Sequence, residues 1–138
     1  MEEDRVFPRI REITDAFGSR LRVSVDRHPD GALVVLERPD APTRERALLD
    51  AYGADVLAAY IMSARLAVPH PLPDEHVDGN FGTCISLKLE PCAALQLAQP
   101  GRQPLEIPAP FWDRLYAELN LVAAHGRELA RRAEERVH

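Results

Sequence analysis

The sequence predicts an α+β fold in which an antiparallel sheet carries helices on one face. Residues 81–99 show this most clearly, because apolar residues from Ile85 to Leu89 alternate with polar ones, as in a half-buried strand. Pro91 interrupts the alternation and Leu95 resumes it, which predicts a hairpin. Helical patterns lie on both sides of this hairpin, and antiparallel hairpins separated by helices are typical of the α+β class.

The N-terminal segment is predicted to be a short helix. Its apolar residues recur at three- and four-residue steps and would share one helix face. They are Val6, Phe7, Ile10, Ile13 and Phe17. Asp4 can cap such a helix, and Gly18 can end it.

A second hairpin follows this helix. Leu21, Val23 and Val25 alternate with polar residues, and the HPDG turn at 28–31 leads into a strand from Ala32 to Glu37. The return strand is apolar on both faces. One face should therefore pack on a helix, and the other requires a neighbour or a ligand.

A long middle helix is predicted from Thr43 to about Leu66. It has a broad apolar stripe and several alanines, which suit close packing against another element, including a second copy of the chain. The high helix propensity of alanine is the simpler explanation. Residues 68–80 contain three prolines and two histidines and are predicted to be an exposed loop.

The C-terminal part is predicted to contain a short extended piece at Leu105 and Ile107, followed by a helix that begins near Pro110. Residues 127–138 are expected to fray. The predicted order is α-β-β-(β)-α-β-β-α in one domain, residues 1–138. The bracketed third strand has no clear counterpart, because the residues after Glu37 favour a loop and then a helix.

Composition and charge exclude several classes of function. The formal net charge is −5, and an acidic chain lacks the positive field that nucleic-acid binding usually requires. No stretch approaches the ~18 uncharged apolar residues of a membrane span, and the N-terminus is not a signal peptide. The expected compartment is therefore the cytoplasm, where Cys84 and Cys92 would be reduced thiols.

The strongest candidate for chemistry is a cluster of ionisable residues upstream of the two cysteines. It contains His70, Asp74, Glu75, His76 and Asp78. Zinc takes such ligands, but their spacing does not match that of structural zinc sites. A Cys84 nucleophile with a histidine base is formally possible, yet nothing predicts a lowered thiol pKa. We therefore expect no catalytic residue, no metal and no cofactor.

The order of elements resembles that of the class I chaperones of type III secretion systems. From Ile85 onward the chain resembles that family in the order strand, turn, second strand, proline-leucine hinge and amphipathic last helix that opens with an aromatic residue. The segment is ISLKLEPCAALQLAQPGRQPLEIPAPFWDRLYAELNLVAAHGRELARR. The segment DRHPDGALVVLE likewise resembles the first hairpin of the family. The resemblance implies a small cytoplasmic protein that works as a homodimer and needs no nucleotide.

The resemblance also implies two binding surfaces. A dimer would form through the middle helix and the strand after it, which here places Tyr60, Ile61, Ala64, Cys84 and Ser86 at the interface. The N-terminal segment of an effector would wrap around the dimer. It would contact a surface made by the first helix and first hairpin, namely Phe7, Ile10, Val23, Val25, Leu33 and Val35. The alternative for each residue is ordinary core packing.

The sequence thus favours a secretion chaperone that keeps the N-terminal segment of one effector soluble and competent for export. A small metal- or thiol-dependent enzyme that uses His70, His76 and Cys84 is an alternative. An α+β adaptor unrelated to secretion is another.

Overall fold

The computed structural model describes residues 10–15, 18–28, 31–40, 45–67, 70–78 and 82–137. They form two helices and two four-stranded antiparallel sheets, which confirms the predicted α+β class. The first sheet contains β1 (Ile10–Thr14), β2 (Arg20–His28), β3 (Gly31–Arg38) and β4 (Glu45–Leu49), and α1 (Ala51–Ala67) follows it. The second contains β5 (Glu75–Val77), β6 (Ile85–Glu90), β7 (Ala94–Ala98) and β8 (Leu105–Pro108). A 3-10 turn at Ala109–Phe111 then leads into α2 (Trp112–Val137).

Both sheets are meanders in which each strand pairs with the next one in the chain. The inner face of the first sheet is apolar because alternate residues of its strands point the same way. These buried residues are Ile13, Leu21, Val23, Val25, Val34, Leu36, Ala47 and Leu49. Helix α2 packs across β2 and β3, and its Leu115 and Leu119 are buried in the same core.

The second sheet buries one face by the same alternation. Its buried residues are Ile85, Leu87, Leu95, Leu97, Leu105 and Ile107. Helix α1 contacts strands of both sheets and runs against α2, so it connects the two halves of the core. At the start of α2, the indole nitrogen of Trp112 donates a hydrogen bond to the carbonyl oxygen of Ile107 at 2.8 Å.

The two predicted hairpins and the C-terminal elements are confirmed. β2 pairs with β3, β6 pairs with β7, and the short extended piece is β8. Alternation predicted these strands well because each has one apolar face towards the core and a nearby turn. Helix α2 continues through Val137.

The predicted N-terminal helix is wrong for the part that the structure describes. Residues 10–14 form β1, in which Ile13 is buried opposite Leu21 while Glu12 and Thr14 are exposed. The apolar spacing was compatible with a helix, but so short a helix is marginal by itself. Pairing with β2 supplies backbone hydrogen bonds that override this weak preference.

The middle of the chain differs from the prediction at the start of α1, whereas the end of the helix agrees with it. The third strand exists: β4 pairs with β3 over residues that were expected to begin the helix. Ala47 and Leu49 are buried on one face of β4, which is a strand period and not a helical one. The helix instead starts after Asp50, whose carboxylate accepts a 2.7 Å hydrogen bond from the backbone N–H of Gly53.

Residues 68–80 were predicted to be loop throughout, but β5 lies within them. β5 pairs with β6, and Val77 is its buried residue. The prolines at 71 and 73 precede the strand and so do not remove a donor from its ladder. The expected single sheet is also wrong, since the strands divide into two sheets before and after α1.

Candidate functional site

The residues predicted to bind an effector do not form one surface. Val23 and Val25 are fully buried on the inner face of the first sheet, beneath α2, so no client side chain can reach them in this fold. Val35 faces the other side of the sheet and is also buried, and Leu33 is half-buried. Phe7 and the side chain of Ile10 lie outside the described residues.

The residues predicted for the dimer interface are divided in the same way. Tyr60, Ile61 and Ala64 are buried in the core of a single chain, and that prediction is wrong for a contact between folded copies. Cys84 is half-buried, and Ser86 is exposed on the outer face of β6. The three helix residues belong to the most apolar stripe of α1, which is the stripe that the chain itself covers.

The opposite side of α1 is the surface that the sequence argument missed. Tyr52 and Leu66 are 66% and 79% exposed, and Ala59 and Ser63 are exposed between them. Only two of the 17 residues of α1 carry a charge, Asp55 and Arg65. A helix that is apolar on all sides is usually covered on all sides. The sequence feature that could have indicated this surface is the scarcity of charged residues along the whole helix.

A second surface is the edge of the first sheet at β1. Within the described residues, β2 is the only neighbour of β1. The backbone N–H of Asp15 donates to the carbonyl oxygen of Ser19, so in an antiparallel ladder Glu12 and Thr14 point their backbone groups away from β2. The Arg11 guanidinium contacts the Glu118 carboxylate of α2 at 3.2 Å and ties this edge strand to the helix.

Charged residues cross the outer face of the first sheet as a ladder. Glu12 pairs with Arg20 and Arg22 at 3.6 and 2.9 Å, and Glu37 pairs with Arg22 and Arg46 at 3.6 and 3.9 Å. Such partly exposed pairs contribute at most about 1 kcal/mol each. These pairs make this part of the outer face polar, so it cannot serve as an apolar groove.

A buried glutamine joins the two sheets. The Gln99 side chain accepts a 2.9 Å hydrogen bond from the backbone N–H of Leu48 in β4 and donates a 2.8 Å bond to its carbonyl oxygen. The same amide nitrogen lies 3.0 Å from the Gly82 carbonyl and 3.3 Å from that of Cys84. Gln99 therefore pairs with the edge of β4 as a strand would, and it fixes β4 against the second sheet.

The histidine cluster is only partly assembled. His76 lies in β5 directly opposite Ser86 in β6, and its Nδ1 is 3.1 Å from the Ser86 hydroxyl. Its Nε2 is 3.0 Å from the Asp78 carboxylate. Within the described part of the chain, no three His, Cys, Asp or Glu side chains form a group able to hold a metal ion. The hydrogen-bonding partners of His76 are thus Ser86 and Asp78, and not the predicted Cys84.

Tyr60 has a clearly perturbed pKa. Its buried hydroxyl lies near the backbone of Leu89 but makes no hydrogen bond of standard geometry with described residues. Burial is the main cause that raises the pKa of Tyr60, and the carboxylates of Asp74 and Glu75 raise it further. The raised pKa means that the folded state favours the neutral phenol.

Replacing Tyr60 by phenylalanine should raise the free energy of unfolding by about 1 kcal/mol at neutral pH, because it removes a buried hydroxyl that makes no hydrogen bond of standard geometry with the described residues. The pKa of Tyr60 is higher in the folded than in the unfolded state. The part of the free energy of unfolding that depends on the protonation of Tyr60 is therefore fully present below pH ~10. It is lost as the pH rises through the folded pKa. Urea denaturation at neutral and alkaline pH should show a smaller alkaline loss in Tyr60→Phe.

The matched control for this prediction is Tyr52→Phe, which changes an exposed tyrosine on the same helix. It should leave both the neutral and the alkaline stability unchanged. A Tyr60→Phe variant less stable than the wild type would show that the hydroxyl has a partner, and it would contradict the prediction.

Comparison with known proteins returns no relatives: no protein-family model matches this sequence, and no curated protein is significantly similar to it. Among the described residues, neither helix is long and apolar enough to cross a membrane. The functional assignment therefore depends on the surfaces of the fold itself.

Proposed function

We propose that this protein is a cytoplasmic, homodimeric chaperone that holds the extended N-terminal segment of a secreted effector, as its resemblance to the type III secretion chaperones implies. The observation that carries this proposal is the edge strand β1, which within the described residues pairs with β2 alone and points the backbone groups of Glu12 and Thr14 away from it. An extended peptide can add to such an edge, where main-chain hydrogen bonds provide affinity without requiring a particular sequence.

The client segment adds to β1 as a fifth strand of the first sheet. The backbone groups of Glu12 and Thr14 form its hydrogen bonds, and the Arg11–Glu118 contact keeps the edge in place against α2. This binding site at the β1 edge takes the place of the predicted client groove at Val23 and Val25, because those side chains are buried in the core of the chain itself. The ordering entropy of the peptide opposes binding, so further apolar contacts are needed beyond the edge.

The dimer forms through the exposed side of α1. Tyr52 and Leu66 lie seven residues before and after Ala59, about 10 Å along the helix in each direction. An antiparallel crossing at Ala59 therefore places Tyr52 against Leu66 of the second copy, and the small Ala59 allows the helices to approach closely. The two-fold axis makes both contacts occur twice.

The charges on this helix fit the same arrangement. Asp55 lies four residues before Ala59 and Arg65 lies six residues after it, so the two opposite charges flank the crossing on opposite sides along the helix. Arg65 also contacts Asp113 of its own chain at 2.9 Å. Opposite charges at these two positions favour the antiparallel over the parallel arrangement of the two helices.

The client step is tested at Glu12, whose backbone N–H points away from β2. Glu12→Pro removes that N–H at a position where an edge strand tolerates proline. Co-expression with N-terminal segments of secreted proteins encoded nearby should give a stable complex with the wild type and lose it with Glu12→Pro. The complex is measured by co-purification and light scattering.

The control is Glu12→Ala, which removes the same ion pairs with Arg20 and Arg22 but keeps the backbone N–H. It should retain the client. Equal client binding by the proline and alanine variants would show that β1 is not the site, and failure of the wild type to retain any of these segments would overturn the proposed function.

A further inference from the structure

We infer that Ser86 is a nucleophile activated by His76, and that the outer face of the second sheet can accept an acyl group from an activated carboxylic ester. The inference depends on three side chains in a hydrogen-bonded line. The Ser86 hydroxyl is 3.1 Å from His76 Nδ1, and His76 Nε2 is 3.0 Å from the Asp78 carboxylate. This site is separate from β1 and from the exposed side of α1.

The hydrogen bonds determine which nitrogen of His76 can accept a proton. The Asp78 carboxylate only accepts hydrogen bonds when it is ionised, so the neutral ring must carry its proton on Nε2. The lone pair of Nδ1 then faces Ser86, whose hydroxyl donates to it. Asp78 is a positioning residue in this arrangement, and His76 is the general base.

The strand register holds the serine and the histidine together. Ser86 pairs directly with His76 on β5 and with Ala98 on β7, so the two reactive side chains share the outer face of neighbouring strands. Ala98 is small and leaves the approach to the Ser86 hydroxyl open. Lys88 lies two residues further along the same strand face and is exposed.

The proposed reaction balances without a cofactor. The Ser86 oxygen forms a bond to the acyl carbon, its proton passes to His76 Nδ1, and the bond from the acyl carbon to the leaving alcohol oxygen breaks. The imidazolium gives its proton to the departing alkoxide, which leaves as the alcohol. A water molecule later attacks the acyl carbon and loses a proton to His76; the bond from the acyl carbon to the Ser86 oxygen breaks, the imidazolium returns the proton to that oxygen, and the carboxylic acid is released. Because the site is open to solvent, with the His76 side chain 59% exposed, we expect slow turnover.

A fluorophosphonate probe tests the activation of the serine directly. Attack by Ser86 forms an oxygen–phosphorus bond and expels fluoride, and peptide mass spectrometry locates the label. The labelling is done in Leu66→Glu, in which the proposed dimer interface is open, so that Ser63 on the exposed side of α1 provides an internal control in the same molecule. Ser86 should be labelled at least 10-fold faster than Ser63, and His76→Ala should lower the Ser86 rate by ~10-fold or more.

A second measurement is the hydrolysis of p-nitrophenyl acetate in a Cys84→Ala/Cys92→Ala background, which removes the two free thiols. Ser86→Ala should abolish the acyl-enzyme seen by intact mass, whereas Ser63→Ala should leave it unchanged. Circular dichroism verifies the fold of each variant. Equal labelling of Ser86 and Ser63 in the folded Leu66→Glu variant would overturn the inference.

Discussion

Replacing Gln99 by glutamate should lower the free energy of unfolding by about 3 to 5 kcal/mol, the cost typical of an uncompensated buried charge. The change in size is minimal, but the amide nitrogen becomes a carboxylate oxygen. That oxygen would face the carbonyl groups of Leu48, Gly82 and Cys84, which can only accept hydrogen bonds. Urea denaturation at neutral pH measures the loss.

Two comparisons separate this effect from a general sensitivity to acidic residues. Gln103→Glu makes the same chemical change at an exposed position and should alter stability by less than about 0.5 kcal/mol. Lowering the pH towards the ordinary glutamic acid range should reduce the difference between Gln99→Glu and the wild type, because the protonated side chain can donate again. Similar losses of stability in the two glutamate variants would contradict the role of Gln99 in holding β4 against the second sheet.

Leu66→Glu should convert the protein from a dimer into a monomer. We expect the wild type to have twice the 15.4 kDa mass of the chain, and the variant to have the mass of one chain. In the antiparallel crossing, each new carboxylate would be buried against Tyr52 of the other copy. A cost of about 2 kcal/mol in each of two equivalent contacts weakens dimerisation on the order of 10³-fold. Light scattering over a concentration series measures this change.

Leu121→Glu is the matched control, since Leu121 is an exposed leucine on α2 and not on α1. It should remain dimeric. Leu66 is 79% exposed in the single chain, so its replacement should leave the stability of the monomer fold unchanged. A monomeric wild type, or a Leu66→Glu variant that stays dimeric, would overturn the proposed interface.

The surface proposed for the dimer could be predicted from the sequence only in part. The resemblance predicts a dimer through the middle helix, and the structure shows that α1 has an exposed side that carries Tyr52 and Leu66. The resemblance could not indicate which side of the helix is exposed, because Tyr60 and Tyr52 are equally apolar in the sequence. The fold covers Tyr60 with the second sheet and leaves Tyr52 open.

The candidate site residues show the same division. The sequence was enough to identify His76 as a candidate site residue, but not to identify Ser86 as its partner. Ser86 is ten residues away and contacts His76 only because β5 pairs with β6. Gln99 gave no signal, because a single glutamine after a strand is unremarkable until its amide is seen to bond β4 and the loop before β6.

The sequence by itself determined the two central hairpins and the last helix. Their patterns are local: an apolar residue at every second position beside a turn, or at every third and fourth position after prolines. Only the tertiary structure decided that residues 10–14, 45–49 and 75–77 are strands and that two sheets form instead of one. A short segment with a weak pattern takes the conformation that satisfies its backbone hydrogen bonds, and those partners lie on distant parts of the chain.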